Sequence, residues 1–225
     1  MTGTPGTDLH FINEEFYADA VTPAQLDLLL ADGWRHFGTH FFRYSLAVYN
    51  NEIRRVQPLR IRLVDFRLSK SQRRVLRKNE DLRVEIRPIE ITPASDRLFH
   101  RHKERFSHGV PGAIFDFLST EPVTVPTNGR EIAVYLDDRL VAVSYFDETQ
   151  TSISGIYAIF DPDEAHRRLG IFTMLREIEY ARSSGRDYYY QGYAYEGESF
   201  YDYKKRFSGL EQFDWNSNWH SFSDR

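Results

Sequence analysis

Cysteine is absent from all 225 residues, which removes several chemistries at once. Disulfides, thiolate metal sites and a cysteine nucleophile are excluded. Long apolar runs are missing too: no stretch approaches the roughly 20 residues that cross a bilayer. The opening MTGTPGTDLHFINEEF has no basic segment followed by an apolar block, so no export signal is expected. The expectation is a cytoplasmic protein with no membrane partner. Gly-x-Ser-x-Gly, P-loop and His-Glu-x-x-His patterns are lacking, leaving the reactions they mark unsupported. His36 and His40, or His100 and His102, have no third clustered ligand, so surface histidines are expected and no metal. Low-complexity segments and sequence repeats are also missing.

Aromatic residues are plentiful. Fourteen Tyr and 17 Phe help bring the hydrophobic share to 41%, ample for a packed core, and a phenol can fill a core while offering a hydroxyl to a cleft. Net charge is −4, but unevenly spread. Between Arg54 and Arg87 stand 12 Lys/Arg against 4 Asp/Glu, leaving the rest of the chain with 17 basic and 29 acidic residues. One basic surface on an acidic body follows.

Thr22-Pro23-Ala24-Gln25 is a capping box with proline at the first helical position, and Gly33 suits a helix end, so a helix is expected over Pro23–Asp32. Trp34–Tyr49, aromatic and poor in helix signals, reads as strand. Pro58–Asp65 alternates, with Leu59, Ile61 and Leu63 on one face. Ser69-Lys70-Ser71-Gln72 opens a second helix through Asn79, and Leu82–Ile91 alternates again. Helices are expected over Ala94–Ser107 and Pro111–Ser119. A proline-containing connection, Glu121–Gly129, divides the chain into a tail (1–20), an N-terminal half (21–122) and a C-terminal half (123–225). That last half reads as a strand, an Asp137-Asp138 turn, a second strand and a third over Ser152–Phe160. A long helix then runs from Asp163 to Ser184 with Ile171, Leu175 and Ile178 as its stripe. A strand over Tyr188–Gly192 and a helix over Ser199–Phe207 close the chain. An antiparallel meander feeding a strand–helix–strand unit is the core of a GNAT-like (acyl-CoA N-acyltransferase-like) fold. The fold class is therefore α+β, a mixed, mostly antiparallel sheet flanked by helices, with a tandem of two GNAT-like halves as the variant.

Within the second capped helix, Lys70, Arg73, Arg74, Arg77 and Lys78 recur at i, i+3, i+4, i+7 and i+8, one face with no acid in it. Like charges so spaced repel. Charge runs are usually solvated faces, but those normally mix signs, and this one favours a phosphate backbone. It would grip phosphates without reading bases. In acetyl-CoA enzymes a turn of the type (Arg/Gln)-x-x-Gly-x-(Gly/Ala) at the start of the long helix holds the pyrophosphate on backbone amides. Here the segment is Arg167-Arg168-Leu169-Gly170-Ile171-Phe172, and the Phe172 ring is expected to crowd a diphosphate.

Several segments, in order from about residue 23 to 210, resemble the arginyl/leucyl-tRNA–protein transferase family. Ser69-Lys-Ser-Gln-Arg-Arg is similar to its Ser-x-Ser-Gln-(Arg/Tyr) signature, and Gly155-Ile-Tyr157 with Phe160-Asp161-Pro162 to its (Ser/Ala)-Val-Tyr and Tyr/Phe-Asp-Pro pair. Leu169-Gly170 with Leu-Arg-Glu-Ile-Glu at 175–179 looks like its central helix. Gly192-Tyr193 and Tyr203-Lys204-Lys205-Arg206-Phe207 resemble its closing elements, and Gly33-Trp34-Arg35 with Phe41-Phe42-Arg43 also fits. The family carries a cysteine-rich segment before the basic helix. Here Ser45–Gln57 has no thiol, so metal, iron–sulfur or redox regulation through those cysteines is ruled out.

The resemblance implies transfer of an amino acid, arginine or leucine, from aminoacyl-tRNA to the α-amine of a protein or peptide, with a small-molecule amine as the variant acceptor. No cofactor is implied besides the tRNA co-substrate, and the basic face becomes the tRNA handle. Such a reaction needs positioning, a proton acceptor and donors for an oxyanion. The catalytic candidates are Asp161, Tyr157, Tyr193 and Lys204. Asp161 would take a proton or hold the donor's ammonium, though it is equally placed to cap the long helix. Tyr157 and Tyr193 would donate to the carbonyl or stack on the terminal adenine, against core packing, the commoner fate of a tyrosine. Lys204 and Arg206 would bind an acidic acceptor or a phosphate, against an ordinary basic helix turn. Gly170, Phe172, Gly192 and Arg206 are expected to line the substrate pocket, and Glu196 and Glu198 are weaker candidate bases. The alternatives are an acyl-CoA N-acyltransferase and a non-catalytic RNA-binding relative.

Overall fold

A threonine and a glutamine start the first helix. The Thr22 side chain accepts the Gln25 N–H, and the Gln25 side chain accepts the Thr22 N–H, fixing helix α1 at Pro23–Ala31. The same box, built from Ser69 and Gln72, starts α2 at Lys70–Lys78, and one built from Thr92 and Ser95 starts α3 at Pro93–Lys103. Each satisfies amides that a helix start leaves open. The computed structural model describes residues 11–107 and 109–222.

The chain forms two sheets. A small one joins β1 (Asn13–Tyr17), β2 (Arg35–Phe37) and β3 (His40–Tyr44), in order β1-β3-β2. Part of the expected 1–20 tail is therefore a strand, while residues 1–10 lie outside the described residues. The single strand expected over Trp34–Tyr49 is broken into β2, β3 and β4 (Leu46–Tyr49), because Gly38, at φ +51°, makes a tight hairpin turn that a side chain would strain.

The large sheet carries nine strands. Its path runs β12 (Trp219–Ser221), β11 (Leu210–Phe213), β5 (Glu52–Arg62), β10 (Tyr188–Tyr195), β9 (Ser152–Phe160), β8 (Arg139–Glu148), β7 (Gly129–Leu136) and β6 (Arg83–Pro88), with β4 beside β5. Strands from both sides of Glu121–Gly129 share this sheet, joined where β6 meets β7 and β5 meets β10. Among the described residues only β9 and β10 run parallel; every other neighbouring pair of this sheet is antiparallel. The meander β7-β8-β9, then helix α4 (Leu169–Ser183), then parallel β10 is the arrangement expected of the GNAT-like fold.

Helix α4 covers one face with Leu169, Phe172, Met174, Leu175, Ile178 and Ala181, all buried. At roughly 1.5–3 kcal/mol per large apolar side chain, this stripe pins the helix to the sheet. Helix α3 covers the other face through Leu98 and Phe99, packed on Val143, Tyr145 and Ile159. Three expected helices take other forms. Pro111–Ser119 holds only a 3₁₀ turn at Ile114–Asp116, because the Asp116 carboxylate accepts the Gly112 N–H and closes the segment locally. The long helix starts at Leu169 instead of Asp163: Pro162–Arg167 is 3₁₀, and Arg168 at φ +56° breaks the path. Phe200–Arg206 is a 3₁₀ turn closed by Ser199 and Asp202. The expected elements end at Phe207, and strands β11 and β12 follow it.

Candidate active site

The parallel pair is short. β9 and β10 match only over Ser152–Ser154 and Tyr188–Tyr190, yet β9 continues to Phe160 and β10 to Tyr195. Beyond Ser154 the two strands part. On β10 the register against β5 shifts between Tyr190 and Gly192, and Gly192 takes φ +83°, a conformation open to glycine at no steric cost. The gap thus opens between Gly155 on one strand and Gly192 on the other.

Two cations fill it. Arg35, from β2 of the small sheet, donates from Nη1 to Ser154 Oγ at 2.7 Å and from Nη2 to the Gly155 carbonyl. Lys204, on the 3₁₀ turn that folds over β10, donates from Nζ to the Tyr193 carbonyl at 2.9 Å. A Cβ on Gly192 would lie 3.3 Å from Lys204 Nζ and 3.7 Å from Arg35 Nη2, so glycine there leaves room for both. Neither cation has a carboxylate partner among the described residues. Burial pulls the Lys204 ammonium down to about 7, and the Arg35 charge adds to the fall. Burial also lowers Arg35, but a guanidinium stays protonated. Asp147 and Glu177 act on Arg35 only at a distance, neither in hydrogen-bond contact with it, so the enclosed positive charge is only partly offset, and an anion entering the gap would relieve it.

The other expected residues scatter. Asp161 is fully buried and occupied: Oδ1 accepts the Asp163 N–H at 3.0 Å and Arg101 at 2.7 Å, and Oδ2 takes Arg101 and Arg139. With those lone pairs spent it is a cap and ion-pair anchor, the second of its two expected roles. Asp161→Ala should therefore destabilise the protein by about 2–3 kcal/mol, less than a fully buried pair because both arginines are half exposed. Chemical denaturation checks this, and transfer activity at low temperature should persist.

Tyr193 donates its hydroxyl to the Gly33 carbonyl at 2.7 Å, tying β10 to the small sheet, so only its backbone oxygen serves the gap. Tyr157 lies on the stretch of β9 that pairs with β8 but no longer with β10, stacked on Phe117 at 3.7 Å between ring centroids. Its buried hydroxyl has no partner among the described residues, and burial raises it to about 12, so it remains an O–H donor. Phe172 is in the hydrophobic core with no exposure; its ring points away from the surface, so it neither lines a pocket nor crowds a diphosphate. Gly170 starts α4 against Phe160. Glu196 stands at the strand end near Arg55, and the Glu198 carbonyl accepts from Arg54. Arg206 is exposed, and its carbonyl accepts from Gln72 Nε2 at 3.4 Å, which brings the start of α2 against the turn that carries Lys204.

On α2, Gln72, Val75 and the capping Asn79 are buried, turning Lys70, Arg73, Arg74, Arg77 and Lys78 to solvent. None of the five makes an ion pair among the described residues; Arg73 donates to the Leu68 carbonyl.

Two functional candidates escaped the sequence reading. Arg35 lay in a recognised segment without a role. Glu177, on α4, is buried against Gly155 with its carboxylate accepting from Tyr189 Oη at 2.5 Å. A signal existed: Gly170, Thr173, Glu177 and Ala181 form a helical file of small residues interrupted by one acid.

Residues 96–214 match the pattern of the family described as "Arginine-tRNA-protein transferase, C terminus". The chain belongs to this family. An aspartate/glutamate leucyltransferase of Stenotrophomonas maltophilia (strain R551-3) is 33% identical over 212 residues, 88% of this chain and 80% of that protein. One of Acinetobacter baylyi is 30% identical over 205 residues, 89% of this chain and 73% of that protein, and one of Helicobacter hepaticus is 29% identical over 204 residues, 87% and 82%. Among solved structures, FemX resembles this chain with a TM-score of 0.49 and 11% identity, over 88% of this chain and 70% of that one. The family assignment read from ordered weak segments holds. No helix among the described residues is long and apolar enough to cross a membrane.

Proposed function

We propose that this protein transfers an aminoacyl group from aminoacyl-tRNA to the α-amine of a polypeptide that begins with Asp or Glu. The observation that carries the reading is the pair Arg35 and Lys204, enclosed where β9 and β10 part, with no carboxylate of the described residues in contact with either. A carboxylate on the acceptor's first residue completes them. The names of the relatives point to leucine as donor and to acidic acceptors, and the family pattern names arginine.

The chemistry asks little of a nucleophile motif. The ester is already activated, and an α-amine with a pKa of about 8 is substantially neutral near pH 7.5. Its nitrogen attacks the ester carbonyl, the amide bond forms, and the ester C–O bond breaks as the ribose oxygen takes a proton. Arg35 and Lys204 fix the acceptor, Tyr157 has a free O–H for the developing oxyanion, and the α2 face grips the tRNA backbone.

Total tRNA charged with labelled amino acids, offered with peptides starting in Asp, Glu or Ala, tests this. Label is expected in the Asp and Glu peptides at least about tenfold over Ala, since a charge-assisted contact is worth about 1.5–3 kcal/mol. Equal labelling would remove the acidic-acceptor reading, and no labelling with tRNA or peptide of any kind would remove aminoacyl transfer.

A further inference from the structure

Glu177 plays no part in holding the acceptor, yet it stands at the same gap with the opposite charge. It is 2% exposed and forms no contact ion pair among the described residues; Tyr189 donates to it, Ser144 stands beside it, and Arg35 acts on it from a longer distance. A carboxylate buried on those terms is costly and usually has a cation to meet. Gly155 bounds it on one side. Gly155 is the first residue of β9 beyond the paired stretch, and a Cβ there would lie 3.2 Å from Tyr189 Oη and 3.3 Å from Glu177 Oε2. Glycine leaves the space in front of the carboxylate without a side chain.

We propose that Glu177 holds the α-ammonium of the amino acid being transferred, the cationic group that every aminoacyl ester carries. This rests on the aminoacyl-transfer reading and supplies the role for which Asp161, already saturated by two arginines and an amide, has no capacity. It also separates the two amines of the reaction. The acceptor nitrogen must be neutral to attack, so an acid that held it as ammonium would disarm it. The donor nitrogen takes no part in bond making and is free to stay charged on Glu177. Arg35 and Lys204 take the acceptor's carboxylate, and the gap has seats of both signs.

The groups facing Glu177 are Tyr189 from β10, Arg35 from β2 and Tyr203 from the 200–206 turn, with Ser144 of β8 as the neutral polar neighbour. Burial raises the carboxyl to about 7, opposed by the Tyr189 hydrogen bond. A protonated acid cannot pair with ammonium, so the donor KM is expected to rise as pH falls below about 7.

The test compares leucyl-tRNA with N-acetyl-leucyl-tRNA as donors to one Asp-initiated peptide, using the full chain. Acetylation removes the ammonium and keeps the ester. The native protein should favour the free-amine donor by about 10–100-fold in kcat/KM, the range of a charge-assisted contact. Glu177→Gln preserves the shape and the Tyr189 contact; it should bring that preference within about threefold by raising the leucyl-tRNA KM, with peptide KM unchanged. Gly155→Ala, which keeps the charge and blocks the approach, should also raise the donor KM, and it decides the matter if the glutamine variant does not fold. An undiminished preference in both variants overturns the assignment. Equal use of both donors by the native protein overturns it too, with aminoacyl transfer intact. If neither donor is used while other charged tRNAs are also inert, the transfer reading itself has failed.

Discussion

Lys204→Gln is expected to raise the KM for Asp- and Glu-initiated peptides by about 100-fold while leaving tRNA binding unchanged. The size follows from the site. Truncating one member of an enclosed, hydrogen-bonded charge contact costs about 2–5 kcal/mol, and 2.7 kcal/mol is about a factor of 100. Glutamine keeps a donor for the Tyr193 carbonyl, so the loss reports charge.

The pH profile gives an independent reading. Lys204 titrates at about 7 in the free protein, whereas the acceptor amine titrates at about 8. At saturating donor, kcat/KM for an acidic peptide should climb to about pH 7, stay level to about pH 8 as gain in free amine offsets loss of ammonium, then fall. In Lys204→Gln the curve should rise to about pH 8 and stay flat. A native curve still rising between pH 7 and 8 would take Lys204 out of acceptor recognition. Stability follows the same linkage with its own sign. Lys204 drops from 10.5 to about 7 on folding, so the unfolded chain holds the extra proton between those values and stability rises with pH across that window. Glu177 goes from 4.5 to about 7, so the folded chain holds the extra proton, and stability falls as pH rises through that lower window. Denaturant midpoints should therefore dip near neutral pH, and the two substitutions should each flatten one limb.

The parts of this architecture written in short-range chemistry were legible in the sequence. Capping boxes at Thr22 and Ser69 announced α1 and α2 within a residue, since their side chains bond amides three positions on. Alternation of Leu59 and Ile61 announced the buried face of β5, although the strand runs from Glu52 to Arg62 and ends before Leu63. The basic face of α2 was readable because helical periodicity alone decides what shares a side. Failures cluster where a neighbour in space sets the outcome. Asp161 reads equally as a cap and as a free acid, because Arg101 and Arg139, which occupy it, are 60 and 22 residues away in sequence. Phe172 looked like a surface residue because the break at Arg168 rotates the start of α4 and turns that ring into the core. Arg35 had no visible function because its partners, Ser154 and Gly155, are 119 and 120 residues on. The site is formed by the meeting of β2, β9, β10 and the 200–206 turn, and no window of sequence contains it.

Reversing Arg73, Arg74 and Arg77 to Glu should abolish tRNA binding at 150 mM salt with little change in folding. The three side chains are exposed and unpaired with acids, while the residues that seat α2 lie on its other side and keep the cap, the Val75 contact and the Asn79 link to Val75 and Arg167 carbonyls. The fold loses the Arg73–Leu68 contact and puts acid near the helix C-terminus, worth a few tenths of a kcal/mol to about 1 kcal/mol, so the melting temperature should move only a few degrees. Binding loses far more. Five phosphate contacts give a slope of roughly −4 in log K against log salt, which is about 10²-fold between 50 and 200 mM for the native protein. Changing three of five cations to anions replaces attraction with repulsion over the same surface. Because Gln72 of α2 touches the turn that carries Lys204, transfer should fall in proportion to binding. Peptide capture by Arg35 and Lys204 should persist, so equilibrium binding of an Asp-initiated peptide separates the two surfaces. Retained tRNA affinity with a steep salt slope in the triple variant would mean that the phosphates lie elsewhere, on Arg62, Arg67 and Arg206, beyond the end of β5.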